Sequence, residues 1–310
     1  MELRQLAALV AVADHGSFSS AAAALKTVQS NVSSHVARLE LELGVQLIDR
    51  QDGCQPTEEG RAVVERARRV TAELDALVAD VAALQADVVG NVRVGMIGTT
   101  ARWLAPRLIS AVAERHPRIR LVVADATTAT LEPQLSGGAI DLAVVNVPTP
   151  GPDLEARPLF DEDLVLVVPA DHPLAQEDRV PLTALDGLAM LLPAPGTALR
   201  VEIDDAVGSA GITLVPKAEL DGVRLIASLT FDGYGPAILP ATAVPERLQE
   251  HWRRVPVVGL PRRRVGVAFR RRVRPGAPVR AVLGLLDEIV ADEAATHHGL
   301  HPPDELSRPG

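Results

Sequence analysis

A helical pattern over residues 29 to 43 carries five polar side chains on one face. Its apolar residues are spaced by four, three and four, so they form one stripe that must be buried: Val32, Val36, Leu39 and Leu43. The opposite face carries Gln29, Ser30, Ser33, Ser34 and Arg38. Hydroxyl, amide and guanidinium groups match the donors and acceptors that base edges present in the major groove of DNA. A small buried helix with an ordinary solvated face is the alternative.

Two shorter helical patterns precede this one. Residues 3 to 14 have apolar side chains at helical spacing and end at Gly16. Ser17 is a plausible N-cap for the second pattern. The break before Gln29 is too short for anything except a turn, so the spacing predicts a helix-turn-helix completed by the first helix.

A turn-rich segment follows the third helix. Residues 46 to 57 contain Gly53 and Pro56, and they predict a wing of two short strands. Arg50 lies where a wing would reach a phosphate. Under the DNA-binding interpretation, residues 1–57 form a winged helix-turn-helix domain; the alternative of an ordinary buried helix stays open on these residues alone.

Composition limits the class of protein. The chain has 310 residues, of which 47% are hydrophobic and 2% aromatic, so it has the length for two or three domains with aliphatic cores. A net charge of −9 argues against indiscriminate coating of nucleic acid. No apolar run reaches the roughly 20 residues that span a bilayer. The single cysteine, Cys54, fits a reducing cytoplasm and is interpreted as a small apolar filler, with a redox role left open.

Residues 58–89 predict a long helix with a heptad seam. Thr57 followed by Glu58 and Glu59 is a strong helix start. The seam is Val63, Ala67, Val70, Leu74, Leu77, Val81, Leu84 and Val88. So narrow a stripe is typical of a helix that pairs with an identical helix, although packing against its own domain is the alternative. The expected contacts between subunits are Val70, Leu74, Leu77, Val81 and Leu84.

Strand and helix patterns alternate from residue 90 to residue 295, which predicts parallel sheets covered by helices. A Pro-rich segment at 148–158 is interpreted as a crossover, and one strand is expected at 164–168. Two lobes are predicted, lobe I from about 90–160 plus 266–295 and lobe II from about 161–265. Residues 296–310 lack periodicity and are expected to be a disordered tail.

The N-terminal pattern resembles that of LysR-type transcriptional regulators. The matching residues are Gly16-Ser17-Phe18, Ala21-Ala22, Leu25, Gln29, Val32-Ser33, Leu39-Glu40, Leu43-Gly44, Leu47 and Arg50. Val28 and Ser30 depart from the family, which usually has a capping Ser and a Pro there. Thr27 is expected to cap the recognition helix in their place.

The same resemblance continues through the C-terminal part. The matching pieces are Arg93-Val94-Gly95, His116-Pro117, Gly138 with Asp141-Leu142-Ala143, Val167-Val168-Pro169, His172-Pro173-Leu174-Ala175, Gly233-Tyr234-Gly235 and Ile238-Leu239-Pro240. The resemblance implies an α+β multidomain protein. A winged helix-turn-helix is joined by a long linker helix to a two-lobed α/β effector-binding domain resembling periplasmic binding proteins. It also implies a homodimer or homotetramer.

Four threonines follow the first two strands of lobe I, namely Thr99, Thr100, Thr127 and Thr128. Ligands of open parallel sheets bind at such strand ends, where helix N-termini offer unpaired N–H groups. A polar or anionic effector is expected there, although helix capping is the alternative for each threonine. The resemblance adds residues near Thr197 to Arg200 and near Phe231, and Arg200 is a candidate partner for a carboxylate.

Other functions have weaker support in the residues. No nucleophile elbow, P-loop or zinc-binding motif is present, so neither catalysis nor a cofactor or metal is predicted. A small-molecule-binding protein or an enzyme with an appended helix-turn-helix is the alternative function. The arginines at 253–254, 262–264 and 270–274 are interpreted as a solvated surface or a subunit contact, with a second nucleic-acid patch as the alternative. The sequence does not identify the effector, the operator or the direction of regulation.

Overall fold

The chain is described by a computed structural model. It covers residues 1–50, 53–83, 88–148, 151–245, 251–271, 273–294 and 297–303. A helical head comes first, one long helix follows, and a two-lobed α/β part completes the chain.

The head is a winged helix-turn-helix, as the spacing predicts. Its elements are α1 (Leu3–His15), α2 (Phe18–Ala24), α3 (Gln29–Leu43) and the antiparallel strands β1 (Ile48–Asp49) and β2 (Gln55–Pro56). Ser17 caps α2, because its Oγ accepts from Ser20 N at 3.1 Å. Gly16 and Gly44 end α1 and α3 in the left-handed conformation, at φ of 66° and 72°.

The start of α3 differs from expectation. Val28 is the N-cap and offers no side-chain bond to the helix. Thr27 does not cap, because its Oγ1 instead accepts from Asn31 Nδ2 at 3.0 Å.

The long helix α4 (Glu58–Ala83) leaves the head directly after the wing. Thr57 caps it, since Thr57 Oγ1 accepts from Gly60 N at 2.9 Å and donates to Gln46 O at 2.8 Å. Val64 and Ala67 are buried against the head. Further along, α4 lies beside lobe I, where Asp80 accepts from the backbone N–H of Ala277 at 2.8 Å.

Lobe I is built on a parallel sheet of three strands. Its elements are β3 (Gly90–Met96), α5 (Gly98–Arg115), β4 (Ile119–Asp125), α6 (Thr128–Ser136), β5 (Leu142–Asn146) and α9 (Ala277–Ala294). β3 lies between β4 and β5 in parallel register. The carboxyl ends of all three strands therefore meet at one edge, and α5 and α6 begin there.

Lobe II has a mixed sheet ordered β6-β10-β8-β9. Its elements are β6 (Leu154–Pro169), β7 (Val180–Pro181), β8 (Ala189–Pro193), α7 (Ala198–Ala210), β9 (Val215–Leu220), α8 (Val223–Phe231), β10 (Ala237–Pro240) and β11 (Trp252–Val258). Three short 3₁₀ turns lie at Pro173–Gln176, Leu182–Leu185 and Ala241–Ala243.

The strand β6 is 16 residues long and belongs to both lobes, which corrects the expected short strand at 164–168. It pairs antiparallel with β12 (Arg262–Arg270) over the length of that strand. Part of the Pro-rich crossover is therefore β-strand. Pro158 is accommodated because the register shifts between Val265 and Gly266, as in a β-bulge.

The C-terminal segment also differs from the expected disordered tail. Leu300–His301 form β13, which pairs antiparallel with β6 at Glu162 and Asp161. Leu300 is only 4% exposed and joins the core of lobe I, so burial of this side chain holds the segment in place. Residues 304–310 lie outside the described residues.

Within the described residues, no single helix is long and apolar enough to cross a membrane. The bent pair α1 and α2 passes the same test of length and composition when taken together. Both helices contribute to the buried core of the head.

Candidate DNA-reading face and effector site

The predicted DNA-reading residues lie on α3, opposite its buried stripe. Val32, Val36 and Leu39 are fully buried against α1 and the wing, whereas Leu43, the fourth residue expected in the stripe, is 41% exposed at the end of the helix. The side chains of Gln29, Ser30, Ser34 and Arg38 are exposed and that of Ser33 is half-buried. Leu41 continues this outer face and is 84% exposed. With its apolar face buried and its polar face exposed, α3 presents its first turns outward from the three-helix core.

The wing residue Arg50 is held by two side chains of the head. Its guanidinium carbon lies 5.5 Å from the centre of the Phe18 ring, and its Nη2 lies 3.3 Å from Glu40 Oε2. Glu40 Oε1 accepts from the backbone N–H groups of Leu47 and Ile48, at 2.9 and 3.2 Å. Arg50 remains half exposed while its position is fixed by contacts within the protein.

The predicted subunit seam is exposed along most of α4. The exposed fractions of Val70, Leu74, Leu77 and Val81 are 43%, 40%, 61% and 56%. Leu84 lies outside the described residues. Four large aliphatic side chains at this exposure form an apolar strip that the described residues of the chain leave about half uncovered.

The interlobe region is organised by a buried ion pair that the sequence reasoning missed. Arg263 on β12 and Glu162 on β6 face each other with side-chain exposures of 4% and 0%. Arg263 Nε donates to Glu162 Oε1 at 2.7 Å, and its Nη2 donates to Thr99 Oγ1 at 2.9 Å. Glu162 Oε2 accepts from the N–H and the hydroxyl of Thr242, at 3.2 and 2.8 Å. This network joins α5 of lobe I to the 3₁₀ turn of lobe II.

The neighbouring arginines of β12 are also paired with carboxylates; Arg262 is half exposed, in keeping with a solvated strand surface, and Arg264 is less exposed. In the register of β6 and β12, Arg262 to Arg264 stand opposite Asp163 to Asp161. Arg262 Nε lies 3.0 Å from Asp163 Oδ1, and Arg264 Nε lies 2.7 Å from Asp161 Oδ1. Their charges are matched by carboxylates across the strands, which removes the main support for a nucleic-acid patch there.

Several buried polar atoms between the lobes have no hydrogen-bond partner among the described residues. They are Thr100 Oγ1, Asn146 Oδ1, Glu202 Oε2 and Thr230 Oγ1. Thr100 and Thr230 are 0% exposed. Burial raises the pKa of Glu202; the charge of Arg263 opposes this and that of Glu162 adds to it. A buried polar group without a partner is unfavourable, so these atoms mark a candidate place for a ligand or an ordered water.

The other predicted effector residues are partly engaged already. Thr127 caps α6, because its Oγ1 accepts from Thr130 N at 3.3 Å, as the helix-capping alternative proposed. Thr128 Oγ1 accepts from Asn146 N at 3.4 Å. Both lie at the carboxyl edge of the lobe I sheet, as expected.

Arg200 and Phe231 have partners within lobe II. Arg200 Nε lies 2.8 Å from Asp204 Oδ1 and its Nη1 lies 2.7 Å from Glu219 Oε1. Phe231 packs edge to face on Trp252, with ring centres 6.2 Å apart, in a core cluster of lobe II. The geometry therefore centres the candidate site on Thr99, Thr100 and residues absent from the sequence-based set.

A sequence signal for the missed pair existed. The run Phe160-Asp161-Glu162-Asp163-Leu164 and the run Arg262-Arg263-Arg264 are complementary triplets of charge. Antiparallel pairing of the two segments places opposite charges face to face, which is a favourable cross-strand arrangement. Glu202 and Thr230 carried no comparable signal, because their role depends on where α7 and α8 pack.

Comparison with known proteins identifies the class. Residues 3–61 match the lysR family of bacterial regulatory helix-turn-helix proteins, and residues 85–291 match the LysR substrate binding domain. The chain belongs to the LysR family, and it is a DNA-binding transcriptional regulator with an effector-binding domain.

Its relatives include regulators named for peroxide response. A probable hydrogen peroxide-inducible genes activator of Streptomyces viridosporus is 36% identical over 94% of this chain and 95% of that protein. A full-length OxyR cysteine variant from Pseudomonas aeruginosa has a TM-score of 0.75 at 25% identity, covering 94% of each chain. Full-length CbnR in complex with its target DNA has a TM-score of 0.65 at 25% identity, covering 94% of this chain and 99% of that one.

Proposed function

We propose that α3 reads the operator through Gln29, Ser30, Ser33 and Ser34, while Arg38 and Arg50 contact phosphates. The observation that carries this assignment is the outward polar face of α3 on a buried three-helix core. Serine and glutamine side chains there hydrogen-bond to base edges, and arginines outside the reading turns fix the register. Because the head has few cations, affinity depends on a small number of placed contacts and on two heads binding together.

A gel-shift assay on the DNA upstream of the gene tests this docking. Ser34→Trp places an indole where the helix must approach the bases, so operator binding should fall by at least about tenfold, since one base contact is worth about 1 to 3 kcal/mol. Ser110→Trp is the matched control, because Ser110 is an exposed serine on α5 of lobe I. Equal binding by both variants and the parent would refute the assignment.

The second part of the proposal concerns the signal. A small polar effector binds between the lobes, at the carboxyl edge of the lobe I sheet, with Thr99, Thr100 and Thr128 on one side. Support comes from the buried unpartnered oxygens there and from the two strands, β6 and β12, that cross between the lobes. A ligand that binds the closed lobes more tightly than the open lobes shifts the balance between those states.

The third part concerns assembly in the cytoplasm. Two chains pair along the α4 strip at Val70, Leu74, Leu77 and Val81, which is apolar and exposed in one protomer. Paired heads predict roughly palindromic half-sites about one helical turn apart.

A substitution at the effector site separates the signal from assembly. Thr100→Val should weaken the response of the protein to its effector without changing the pairing of the two chains.

A response to peroxide is the second candidate, because relatives are named hydrogen peroxide-inducible genes activators. The 310 residues contain one cysteine, Cys54, which packs beside the core of the head. One cysteine cannot form a disulfide within a single chain. We therefore favour reversible ligand binding as the signal, and peroxide treatment should leave operator binding unchanged in a Cys54→Ser variant and in the parent alike.

A further inference from the structure

The interlobe region has an unusual balance of charge and hydrogen bonding. Arg263 forms an ion pair with Glu162, and Glu202 is close enough to feel the charges of both side chains without bonding to either. Arg263 directs its Nε at Glu162 and its Nη2 at Thr99, so its positive charge lies against one of the two carboxylates. One guanidinium and two carboxylates carry no net positive charge together, which disfavours an anionic ligand beside Glu202.

Glu202 is placed at this cluster by the pattern of α7. It follows Leu199 by three residues and precedes Ala206 by four, at the edge of the stripe that packs into lobe II. Its Oε2 is buried without a hydrogen-bond partner in the described part of the chain. A desolvated carboxylate oxygen is stabilised by a proton or by a hydrogen-bond donor, and a bound ligand can supply that donor.

The other unpartnered atoms point to the same ligand chemistry. Thr100 lies in the first turn of α5, next to Thr99, whose hydroxyl contacts Arg263. Thr230 lies on α8, which packs against α5 and against the 3₁₀ turn that carries Thr242. Asn146, whose Oδ1 has no partner among the described residues, is the last residue of β5 and lies at the same sheet edge. A carboxylate oxygen, an amide oxygen and two hydroxyls can all accept hydrogen bonds.

We propose that the interlobe site selects a small cationic ligand that donates hydrogen bonds from a primary ammonium or amidinium group to Glu202. Thr100, Thr230 and Asn146 accept its remaining donors. This assignment rests on the proposed function and replaces the anionic effector expected from the helix N-termini. The groups are buried when the lobes are together, so entry requires the lobes to part about β6 and β12.

Paired probes of equal skeleton and opposite charge test the ligand class. Full-length protein is titrated with putrescine and succinate, and with benzylamine and benzoate, by calorimetry and thermal shift. At least one ammonium compound should bind and raise Tm while its carboxylate partner does not. Glu202→Gln should weaken that binding at least about tenfold, because a hydrogen bond to a charged group is worth about 1.5 to 3 kcal/mol.

A control variant, a second site variant and a stability measurement separate ligand recognition from folding. Asp205→Asn removes an exposed carboxylate from the same helix and should bind the amine as the parent does. Thr230→Val keeps the shape of its side chain and should weaken amine binding as well. The unliganded Tm of Glu202→Gln should equal or exceed that of the parent, because a desolvated carboxylate is removed.

Three results would overturn the inference. They are tighter binding of a carboxylate than of its amine, equal amine binding by Glu202→Gln and the parent, and no amine binding up to about 10 mM, where a millimolar site is occupied. Operator binding is measured on the same preparation. If the operator is bound and no amine is, the ligand class is wrong and the regulator function stands. Loss of operator binding by the parent would instead refute the proposed function.

Discussion

The buried ion pair of Arg263 and Glu162 contributes to stability only while both charged side chains are present. Both side chains are removed from water, and the desolvation cost is offset by their attraction and by the bonds to Thr99 and Thr242. Neither charge can lose its partner without leaving the other buried and uncompensated. The pair Arg262–Asp163, one residue away, is half exposed and depends far less on its partner.

Arg263→Met is therefore expected to reduce the free energy of unfolding by about 3 to 5 kcal/mol, because Glu162 remains buried without a cation. Arg262→Met, in the same strand, should cost no more than about 1 kcal/mol, since water screens that pair. Urea unfolding followed by circular dichroism measures both. Similar losses in the two variants would show that Arg263 is not buried as the structure describes.

Asp141 provides a prediction about pH. Burial raises its pKa, against the lowering effects of the Arg93 backbone N–H and the charges of Arg93 and Arg270. An acid with a raised pKa binds its proton more tightly in the folded state. Its unfavourable contribution to stability is therefore complete above the folded pKa and disappears as pH falls through that value.

Asp141→Asn keeps an oxygen that can accept from Arg93 N while removing the charge. The variant should gain stability relative to the parent at about pH 8, and this gain should shrink as the pH is lowered toward about 4, near the ordinary pKa of an aspartate. Unfolding midpoints at several pH values give the difference directly. A difference that grows toward low pH would contradict the sign argued for Asp141.

At the scale of elements, the junction between the head and α4 depends on one glycine. A Cβ on Gly60 would lie 1.9 Å from the backbone oxygen of Leu47, a contact that no side-chain rotation can relieve. The first turn of α4 therefore packs directly on the backbone that enters the wing. Gly208 on α7 has open space at the equivalent atom.

Gly60→Ala should destabilise the protein by about 1 to 3 kcal/mol or more, because the backbones must move apart. Gly208→Ala should instead stabilise it by up to about 1 kcal/mol, since alanine is the better helix former. Thermal unfolding of the two variants separates steric crowding from helix propensity. Stabilisation by both substitutions would mean that α4 does not start against Leu47.

The elements of the head were largely predictable, because they depend on local signals. Ser17, Thr57 and the glycines at 16 and 44 act within a few residues of themselves, and they mark helix ends as observed. The length of β6 was not predictable in the same way. Its pairing with β12 joins segments about a hundred residues apart, and long-range pairing decides strand length where local propensity is weak.

The candidate effector site also combines residues that local sequence signals predict with residues that only long-range packing brings together. Thr99 and Thr100 follow a strand and open a helix, which the sequence reveals. Glu202, Thr230 and Thr242 come from three other elements of lobe II, and only the packed structure brings them to the site. β13 was missed because a single buried leucine in a polar segment gives no periodic signal.

At the scale of the whole molecule, α4 is expected to join two chains. Leu77→Asp should convert the oligomer to monomer, because a carboxylate cannot be buried in an apolar helix pair without a partner. Its protomer should fold normally, since Leu77 is 61% exposed in one chain. Sedimentation velocity measures the change, with Ile109→Asp as the control at an exposed aliphatic residue of α5. A monomeric parent, or an oligomeric Leu77→Asp variant, would place the interface elsewhere.

The contacts of Glu40 affect how the head binds DNA. One of its oxygens accepts from the wing backbone and the other lies near Arg50, so Glu40 links α3 directly to the wing. The close packing of Gly60 extends this connection into α4. We therefore expect the duplex, rather than the head, to change its curvature when the two bind. Base pairs that no side chain touches should then influence affinity through the ease with which they deform.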